Sequence, residues 1–252
     1  MKEIAILMYH SIDASGSVVS VSPQEFASQM GVLADLGLRA MRLREAVRCY
    51  IENGCWPERA VVLTFDDGFA NFFDTAFPVL ERHGFTATMF VVSRHVGGLN
   101  DWAPPPAGLG ARALMDWNQL AELATAGVEI GSHTLTHPDL RRLPAREAAN
   151  EIKSSRAEIE DRLGQPVESF AYPFGAVSRD CEEIIKREYR AACTTTLRRA
   201  KDDPLYSLPR VDMYYIRSRR SLERLVNGDL DGYLSVRRWA RAARALAPLQ
   251  NG

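Results

Sequence analysis

The sequence predicts an α/β fold, a distorted (β/α) barrel with about seven parallel strands that is similar to a TIM barrel. Seven short apolar segments alternate with helical patterns along the 252 residues. Several of these segments end in polar side chains that are capable of chemistry. The carboxyl ends of barrel strands surround one mouth, whereas the strands at opposite edges of an open sheet lie far apart. The placement of the polar residues therefore favours the barrel over an open doubly wound sheet.

The seven candidate strands are apolar nearly throughout, as expected for strands that are covered on both faces. They are Ile4–His10, Ala60–Asp66, Ala87–Val92, Val128–His133, Ser169–Phe174, Tyr189–Thr195 and Ser207–Met213. Their alternation with helices implies parallel pairing through right-handed crossovers.

Three of the intervening helices carry clear end signals, and a glycine follows each of them. Pro23 begins the first, Asp116 caps the second, and the third runs from about Pro144 to Leu163. The segment 97–110 is too rich in Gly and Pro for regular structure. A long connection of this kind is often a lid or a binding loop.

The composition is typical of a soluble globular protein, with 46% hydrophobic and 25% charged residues. The net charge is only −1, but the segment 210–252 contains nine arginines and four acidic residues. This asymmetry indicates either an anionic partner near the C-terminal end or a solvated basic surface. We expect no nucleic-acid partner.

We expect a barrel domain at residues 1–232 and a basic amphipathic helix at residues 233–252. Apolar residues recur at helical spacing opposite a row of arginines: Val236, Trp239, Ala240, Ala243, Leu246 and Ala247 against Arg237, Arg238, Arg241 and Arg244. Such a helix either packs its apolar face on the domain or makes peripheral contact with an anionic membrane surface.

The location of the protein is inferred from missing signals. The N-terminal residues have no signal-peptide pattern, and no apolar run approaches the length that spans a bilayer. We therefore expect a cytoplasmic protein, peripheral to the inner face of the membrane if the C-terminal helix binds lipid. A secreted protein whose signal is missing from this sequence is the alternative.

The first chemical motif is Thr64-Phe65-Asp66-Asp67-Gly68. Two adjacent carboxylates at a strand end are unfavourable unless a cation lies beside them. A metal satisfies one carboxylate and leaves the other free to act as a base. Alone, the motif is also good turn chemistry, because Gly68 permits a sharp bend.

The second motif is Ser132-His133-Thr134-Leu135-Thr136-His137-Pro138. Two histidines four residues apart can face the same way when a helical turn connects them. Neutral imidazole is the commonest protein ligand for metals. Structural histidines are the alternative, although two of the five histidines of the chain fall within this motif.

Together the two motifs predict two histidines and one carboxylate around a metal with an open position, which is a catalytic arrangement. A metal-bound water there would have a pKa near neutrality, and the second aspartate could serve as general base. The same ligand set also suits a non-haem iron oxygenase. That alternative gives Asp66 no role.

These motifs, followed by Ala171-Tyr172-Pro173-Phe174-Gly175, resemble the polysaccharide deacetylases, also called the NodB-homology domain or carbohydrate esterase family four. The resemblance extends over residues 4–213. It implies a distorted barrel of seven or eight strands that hydrolyses N-acetyl groups on sugars. It also implies a divalent metal, usually Zn²⁺, with Co²⁺, Ni²⁺ or Fe²⁺ as alternatives. By position, Asp67, His133 and His137 would be its ligands and Asp66 the base.

The resemblance further implies roles for the third motif. The main-chain nitrogen of Phe174 would help to bind the oxyanion, and Tyr172 is a candidate for substrate contact. Trp102, in the long loop, is a candidate stacking platform for a sugar ring. Packing beneath the Pro-rich loop is an equally good interpretation of Trp102.

Two departures from the family pattern concern the residues around the base. Many members have an arginine in the third motif that pairs with the catalytic aspartate, but Ala171 stands there in this sequence. Arg210, late in the seventh strand, could supply the guanidinium instead. Many members also have a late histidine as general acid, but no histidine follows His137. His10 is similar to the acid of a branch in which that group comes from the N-terminal strand.

The sequence therefore predicts a hydrolase that removes N-acetyl groups from an amino sugar, an oligosaccharide or a polysaccharide precursor, free or lipid-linked. The alternatives are a deformylase or other amide hydrolase of the same fold, or an inactive glycan-binding relative.

Overall fold

The parallel strands of the protein form one sheet that closes on itself. The computed structural model describes residues 3–102 and 108–246. The strands in chain order are β1 (Ala5–Tyr9), β2 (Ser11–Ile12), β3 (Ser20–Val21), β4 (Arg39–Met41), β5 (Ala60–Phe65), β6 (Thr88–Val91), β7 (Glu129–Ser132), β8 (Ser169–Ala171), β9 (Ala191–Leu197) and β10 (Leu208–Asp212). All of their pairings are parallel, which agrees with the alternation of strands and helices in the sequence.

Seven of these strands close into a barrel, which confirms the predicted fold class. The order around it is β1-β10-β9-β8-β7-β6-β5, and the pairing of β5 with β1 completes the ring. β4 extends the sheet along the first half of β5, while β2 and β3 pair separately. Because Tyr9 pairs with Phe65, β1 and β5 end side by side. The next residues, His10 and Asp66, therefore emerge as neighbours.

Helices cover the outside of the barrel. They are α1 (Pro23–Asp35), α2 (Leu43–Asn53), α3 (Phe77–Arg82), α4 (Trp117–Thr125), α5 (Ala145–Leu163), α6 (Arg179–Glu188), α7 (Arg219–Asn227) and α8 (Asp231–Leu246). The three helices with predicted ends are α1, α4 and α5. Asp116 accepts hydrogen bonds from the first turn of α4, in the capping box that the sequence indicates.

The strands bury alternate residues in two separate clusters. In β1, Ala5, Leu7 and Tyr9 pack in the larger cluster, while Ile6 packs in the smaller one. Because successive side chains point to opposite faces of a strand, this alternation indicates that both faces are covered. It explains why the strands read as continuous apolar runs.

The last helix does not pack its whole apolar face on the domain. α8 begins at Asp231, and Leu234 is buried in the larger cluster. Val236 and Trp239 are exposed, and Trp239 is 74% accessible. The prediction that the apolar face packs on the domain is therefore wrong for these two residues. Ala247 lies outside the described residues. Within the described chain, no helix is both long enough and apolar enough to cross a bilayer.

Candidate active site

A cleft of about 450 Å³ opens at the carboxyl ends of the strands. Most of the residues singled out in the sequence line it. The lining residues include Met8, His10, Val19, Asp66, Asp67, Trp102, His133, His137, Phe174, Thr195, Asp212, Tyr214, Tyr215 and Arg241. Ligands of barrel enzymes bind at this end of the strands.

Arg210 holds Asp66 from below the cleft. Its two terminal nitrogens donate to the two carboxylate oxygens of Asp66 at 2.6 and 2.7 Å, and its Nε donates to the carbonyl of Thr194 at 2.9 Å. Both side chains are almost completely buried. The pairing of β10 with β9 is irregular between Leu208 and Arg210, and such irregularities redirect side chains. The guanidinium absent from the third motif thus comes from the seventh barrel strand.

Asp67, His133 and His137 converge beside this ion pair. The Nε2 atoms of both histidines lie 3.5 Å from Oδ1 of Asp67. One ligand atom from each of the three residues lies within 4.8 Å of the other two. Oδ1 of Asp67 is buried and accepts no hydrogen bond within the described residues. A buried carboxylate oxygen without a partner is costly, so the three residues fit a cation that would satisfy it.

The two histidines are oriented by different contacts. Nδ1 of His133 donates to the carbonyl of Ala171 at 2.7 Å, which leaves the lone pair of Nε2 free to bind a metal. The ring of His137 is fixed by packing instead. It stacks on Trp102 with ring centroids 4.7 Å apart and meets the edge of Phe174 at 4.8 Å.

The loop between the two histidines is held in an unusual conformation by a residue outside both motifs. Thr134 and His137 have φ of 70° and 62°, values that non-glycine residues seldom adopt. Glu151 of α5 accepts hydrogen bonds from the amides of Leu135 and Thr136 and from the Thr136 hydroxyl. No local spacing in the sequence could have connected Glu151 with this loop.

Burial and charge set the protonation of the site. Burial lowers the pKa of His133 to about 4 and that of His137 to about 2, so both are neutral near neutral pH, as metal ligands must be. Burial, together with the charge of Asp66, raises the pKa of Asp67. Burial also favours a higher pKa for Asp66, but Arg210 and His133 outweigh it and hold that pKa well below its usual range. Asp66 is therefore ionised and Asp67 lacks a compensating charge.

His10 lies beside Asp66 in the lining of the cleft. Its Nε2 is 3.8 Å from Oδ2 of Asp66. Burial lowers the pKa of His10, the charge of Asp66 opposes this effect, and Arg210 and Arg241 add to it. The barrel closure between β1 and β5 produces this neighbour pair.

The aromatic candidates lie in different places. Trp102 lines the cleft and also packs with Leu109 and Leu114, and its role as a stacking platform for a sugar stays a prediction. Phe174 is 44% exposed with φ of 58° and lines the cleft. The side chain of Tyr172 is buried in the core, where its hydroxyl donates to the carbonyl of Tyr206. The structure does not bring the Tyr172 side chain to the cleft.

A tight turn positions Phe174. The amides of Gly175 and Ala176 donate to the carbonyls of Tyr172 and Pro173. Gly175 has φ of 68°, and a Cβ at that position would lie 2.2 Å from Oγ1 of Thr195. Only glycine fits there, which accounts for the glycine that ends the third motif.

Sequence reasoning missed two charged residues at the cleft. Arg241 of α8 lines the cleft and lies 3.5 Å from Asp212, at the end of β10. Burial raises the pKa of Asp212 to about 6, although Arg241 lowers it. Only the fold connects these two positions, so no sequence signal pointed to the pair.

Comparison with known proteins decides the family. The family model for "Polysaccharide deacetylase" matches residues 53–191, more than half of the chain. The chain belongs to the polysaccharide deacetylase family. The family comprises carbohydrate deacetylases, which are hydrolases, and the match includes both metal-ligand motifs and the third motif.

Relatives and solved structures agree with this assignment. The chain is 28% identical over 211 residues to YxkH of Bacillus subtilis (strain 168), which is named for the same family; the match covers 83% of this chain and 71% of YxkH. It is 29% identical over 177 residues to the poly-β-1,6-N-acetyl-D-glucosamine N-deacetylase of Staphylococcus epidermidis, covering 67% of this chain but 58% of that enzyme. The Streptococcus pyogenes deacetylase PplD in complex with acetate superposes with a TM-score of 0.79 at 26% identity, covering 89% of this chain and 98% of that one.

Proposed function

We propose that this polysaccharide deacetylase is a metal-dependent hydrolase that removes acetyl groups from N-acetylated amino sugars of a glycan. The observation that carries the proposal is the unpartnered, buried Oδ1 of Asp67, which faces Nε2 of both His133 and His137 at 3.5 Å. The donor set of two imidazoles and one carboxylate suits Zn²⁺. The ionised Asp66 beside it gives the site a base, for which an iron oxygenase has no use.

The residues around the ligands have separate roles in amide hydrolysis. When bound, a divalent metal lowers the pKa of a water towards neutrality and polarises the amide carbonyl. Asp66 accepts a proton from the attacking water. Because Arg210 holds both oxygens of Asp66, it fixes the direction of that carboxylate and makes it a weak base. A base this weak can act only on a water whose own pKa is lowered, which a bound metal would provide.

Departure of the product requires a proton for the amine, because an amide anion is too poor a leaving group. His10 is the candidate donor, as its Nε2 lies at the cleft beside Asp66. Among the backbone hydrogen bonds of the described residues none comes from the amide of Phe174, whereas the next two amides donate within the turn. It is therefore available to the oxyanion. Trp102 forms an apolar wall of the cleft that suits the face of a sugar ring.

We propose N-acetylglucosamine polymers as the substrate class, because the staphylococcal relatives are named as poly-β-1,6-N-acetyl-D-glucosamine N-deacetylases. The test is acetate release from N-acetylglucosamine oligomers of β-1,6 and β-1,4 linkage. We expect the chelated protein to release no acetate and added Zn²⁺ to restore release. Formate release from N-formyl oligomers in preference to acetate would make the enzyme a deformylase. Tight oligomer binding without release by the zinc-loaded protein would make it a glycan-binding relative.

We also propose peripheral contact with an anionic membrane surface through α8. The exposed Val236 and Trp239 support it, since a basic amphipathic helix with an outward tryptophan can lie in a lipid interface. The test is flotation of the full chain with anionic vesicles. A Trp239→Ser variant should lose flotation, and flotation equal to that of the parent would refute the contact.

A further inference from the structure

A second groove lies next to the active-site cleft, in the C-terminal part of the chain. It has a volume of about 570 Å³. Its lining residues are Tyr214, Tyr215, Arg217, Ser218, Ser221, Arg224, Leu230, Tyr233 and Arg237. Tyr214 and Tyr215 line both cavities, so the groove adjoins the active-site cleft. All of the lining residues lie beyond residue 191, where the family match ends.

The groove is basic, and much of its charge is uncompensated. Within the described part of the chain, Arg224 donates to the carbonyl of Asp229 and Arg237 donates to the hydroxyl of Tyr233, and neither forms an ion pair with a carboxylate. Arg217 lies 3.9 Å from Glu25, a long contact between half-exposed side chains. No acidic residue is among the lining residues. A cleft lined by one sign of charge attracts ligands of the opposite sign.

The tyrosines arrange these arginines. Arg217 lies over the ring of Tyr214 at 4.6 Å from its centroid, and Arg237 lies over the rings of Tyr215 and Tyr233 at 5.8 and 5.1 Å. Stacking of this kind restrains a guanidinium while leaving edge donors free for carboxylate or phosphate. Aromatic rings and fixed guanidinium groups are suited to a sugar chain that carries anionic groups.

We infer that this groove binds an anionic substituent, a phosphate or a carboxylate, on the glycan whose N-acetylated sugar occupies the active-site cleft. The inference rests on the proposed deacetylase function and adds the charge of the substrate to it. Three of the nine arginines in the segment 210–252 line this groove. The groove is formed by α7, α8 and the turn Met213–Tyr215, so it lies to one side of the metal ligands.

The test compares three probes with the zinc-loaded full chain: a neutral N-acetylglucosamine tetrasaccharide, the same oligomer with a phosphate monoester on one terminal sugar, and the same oligomer with a carboxylate there. At low salt, kcat/KM for at least one anionic probe should exceed that for the neutral probe by about tenfold. In ~1 M NaCl, where the screening length falls to about 3 Å, the preference should shrink. The better anionic probe identifies the natural group.

The variant Arg217→Gln/Arg224→Gln should lose the preference and keep neutral-probe turnover, because both side chains are exposed and neither lines the active-site cleft. Arg220→Gln is the matched control, since Arg220 is exposed on α7, as Arg224 is, but does not line the groove. It should keep the preference.

Equal turnover of all three probes by the parent would overturn the inference and leave the proposed function intact. Acetate release from none of them would refute the proposed function instead. If the double variant keeps its probe preference but loses flotation with anionic vesicles, the groove binds lipid and the glycan assignment is wrong.

Discussion

Removal of the Arg210 guanidinium should destabilise the protein far more than removal of an equivalent surface group. Arg210 and Asp66 are buried, and two hydrogen bonds of 2.6 and 2.7 Å join them. Arg210→Met leaves the carboxylate of Asp66 buried without its partner. Breaking a buried ion pair in this way costs about 3–5 kcal/mol. At about 2–4 °C per kcal/mol for a chain of this size, we expect Tm to fall by roughly 6–20 °C.

The chain offers a matched control on its surface. Arg141 also forms a two-pronged pair, with the carboxylate of Asp139 at 3.0 and 2.8 Å, but its side chain is 55% exposed. Arg141→Met should cost less than about 1 kcal/mol. Urea unfolding followed by circular dichroism measures both variants. If Arg210→Met costs no more than Arg141→Met, the buried pair does not stabilise the site as argued.

The loss of stability caused by Arg210→Met should depend on pH in a definite direction. In the parent, the pKa of Asp66 is held below its ordinary value, so its stabilisation is present above the unfolded pKa and disappears as the pH falls through the folded pKa. Without Arg210, burial should raise that pKa above the ordinary value. On mild acidification, Asp66 of the folded variant then gains a proton, whereas Asp66 of the folded parent stays ionised. The difference in unfolding free energy should therefore shrink as the pH falls from neutral towards the raised pKa of Asp66 in the variant.

The remaining predictions concern individual roles at the cleft. His133→Ala should lose bound metal and activity together, and elemental analysis that finds full occupancy would refute the ligand assignment. Asp66→Asn should retain the metal but lose roughly 10²–10⁴-fold in kcat, and a near-normal kcat would rule out the base. His10→Ala should bind metal normally and lose the alkaline limb of the pH–rate profile. In the parent that limb should lie below the ordinary imidazole pKa of about 6.5, because burial lowers the pKa of His10. An unchanged limb in the variant would leave Asp66 to serve as both base and acid.

The barrel strands were predictable because each is a continuous apolar run between polar ends. The ends of the strands were less predictable. The sequence predicts a fifth strand over Ser169–Phe174, but the corresponding β8 ends at Ala171 because a turn begins at Pro173. The strands β2, β3 and β4 have two or three residues each and are too short to show a periodic pattern.

The site could be predicted where the chemistry depends on residue type and spacing. The cluster of Asp67, His133 and His137 was recognisable from its motifs, and Arg210 from its place late in a strand. Contacts made by folding alone could not be predicted. Glu151 supports the histidine loop from a distant helix, and Arg241 reaches the cleft from α8.

The spacing of the third motif also does not predict which way its side chains point. A residue next to a strand end can point to the mouth or into the core, and Tyr172 points into the core. Predicting the direction of Tyr172 would require knowing where the alternation of the strand stops. The turn at Pro173 interrupts that alternation.

The most direct test of the metal centre is a zinc titration of the chelated protein with acetate release as the readout. If Asp67, His133 and His137 hold the catalytic metal, release from an N-acetylglucosamine oligomer should rise linearly and stop at about one equivalent. His137→Ala, in the same titration, should show no such end point. Full acetate release by the chelated protein, or by the His137→Ala variant, would contradict the account.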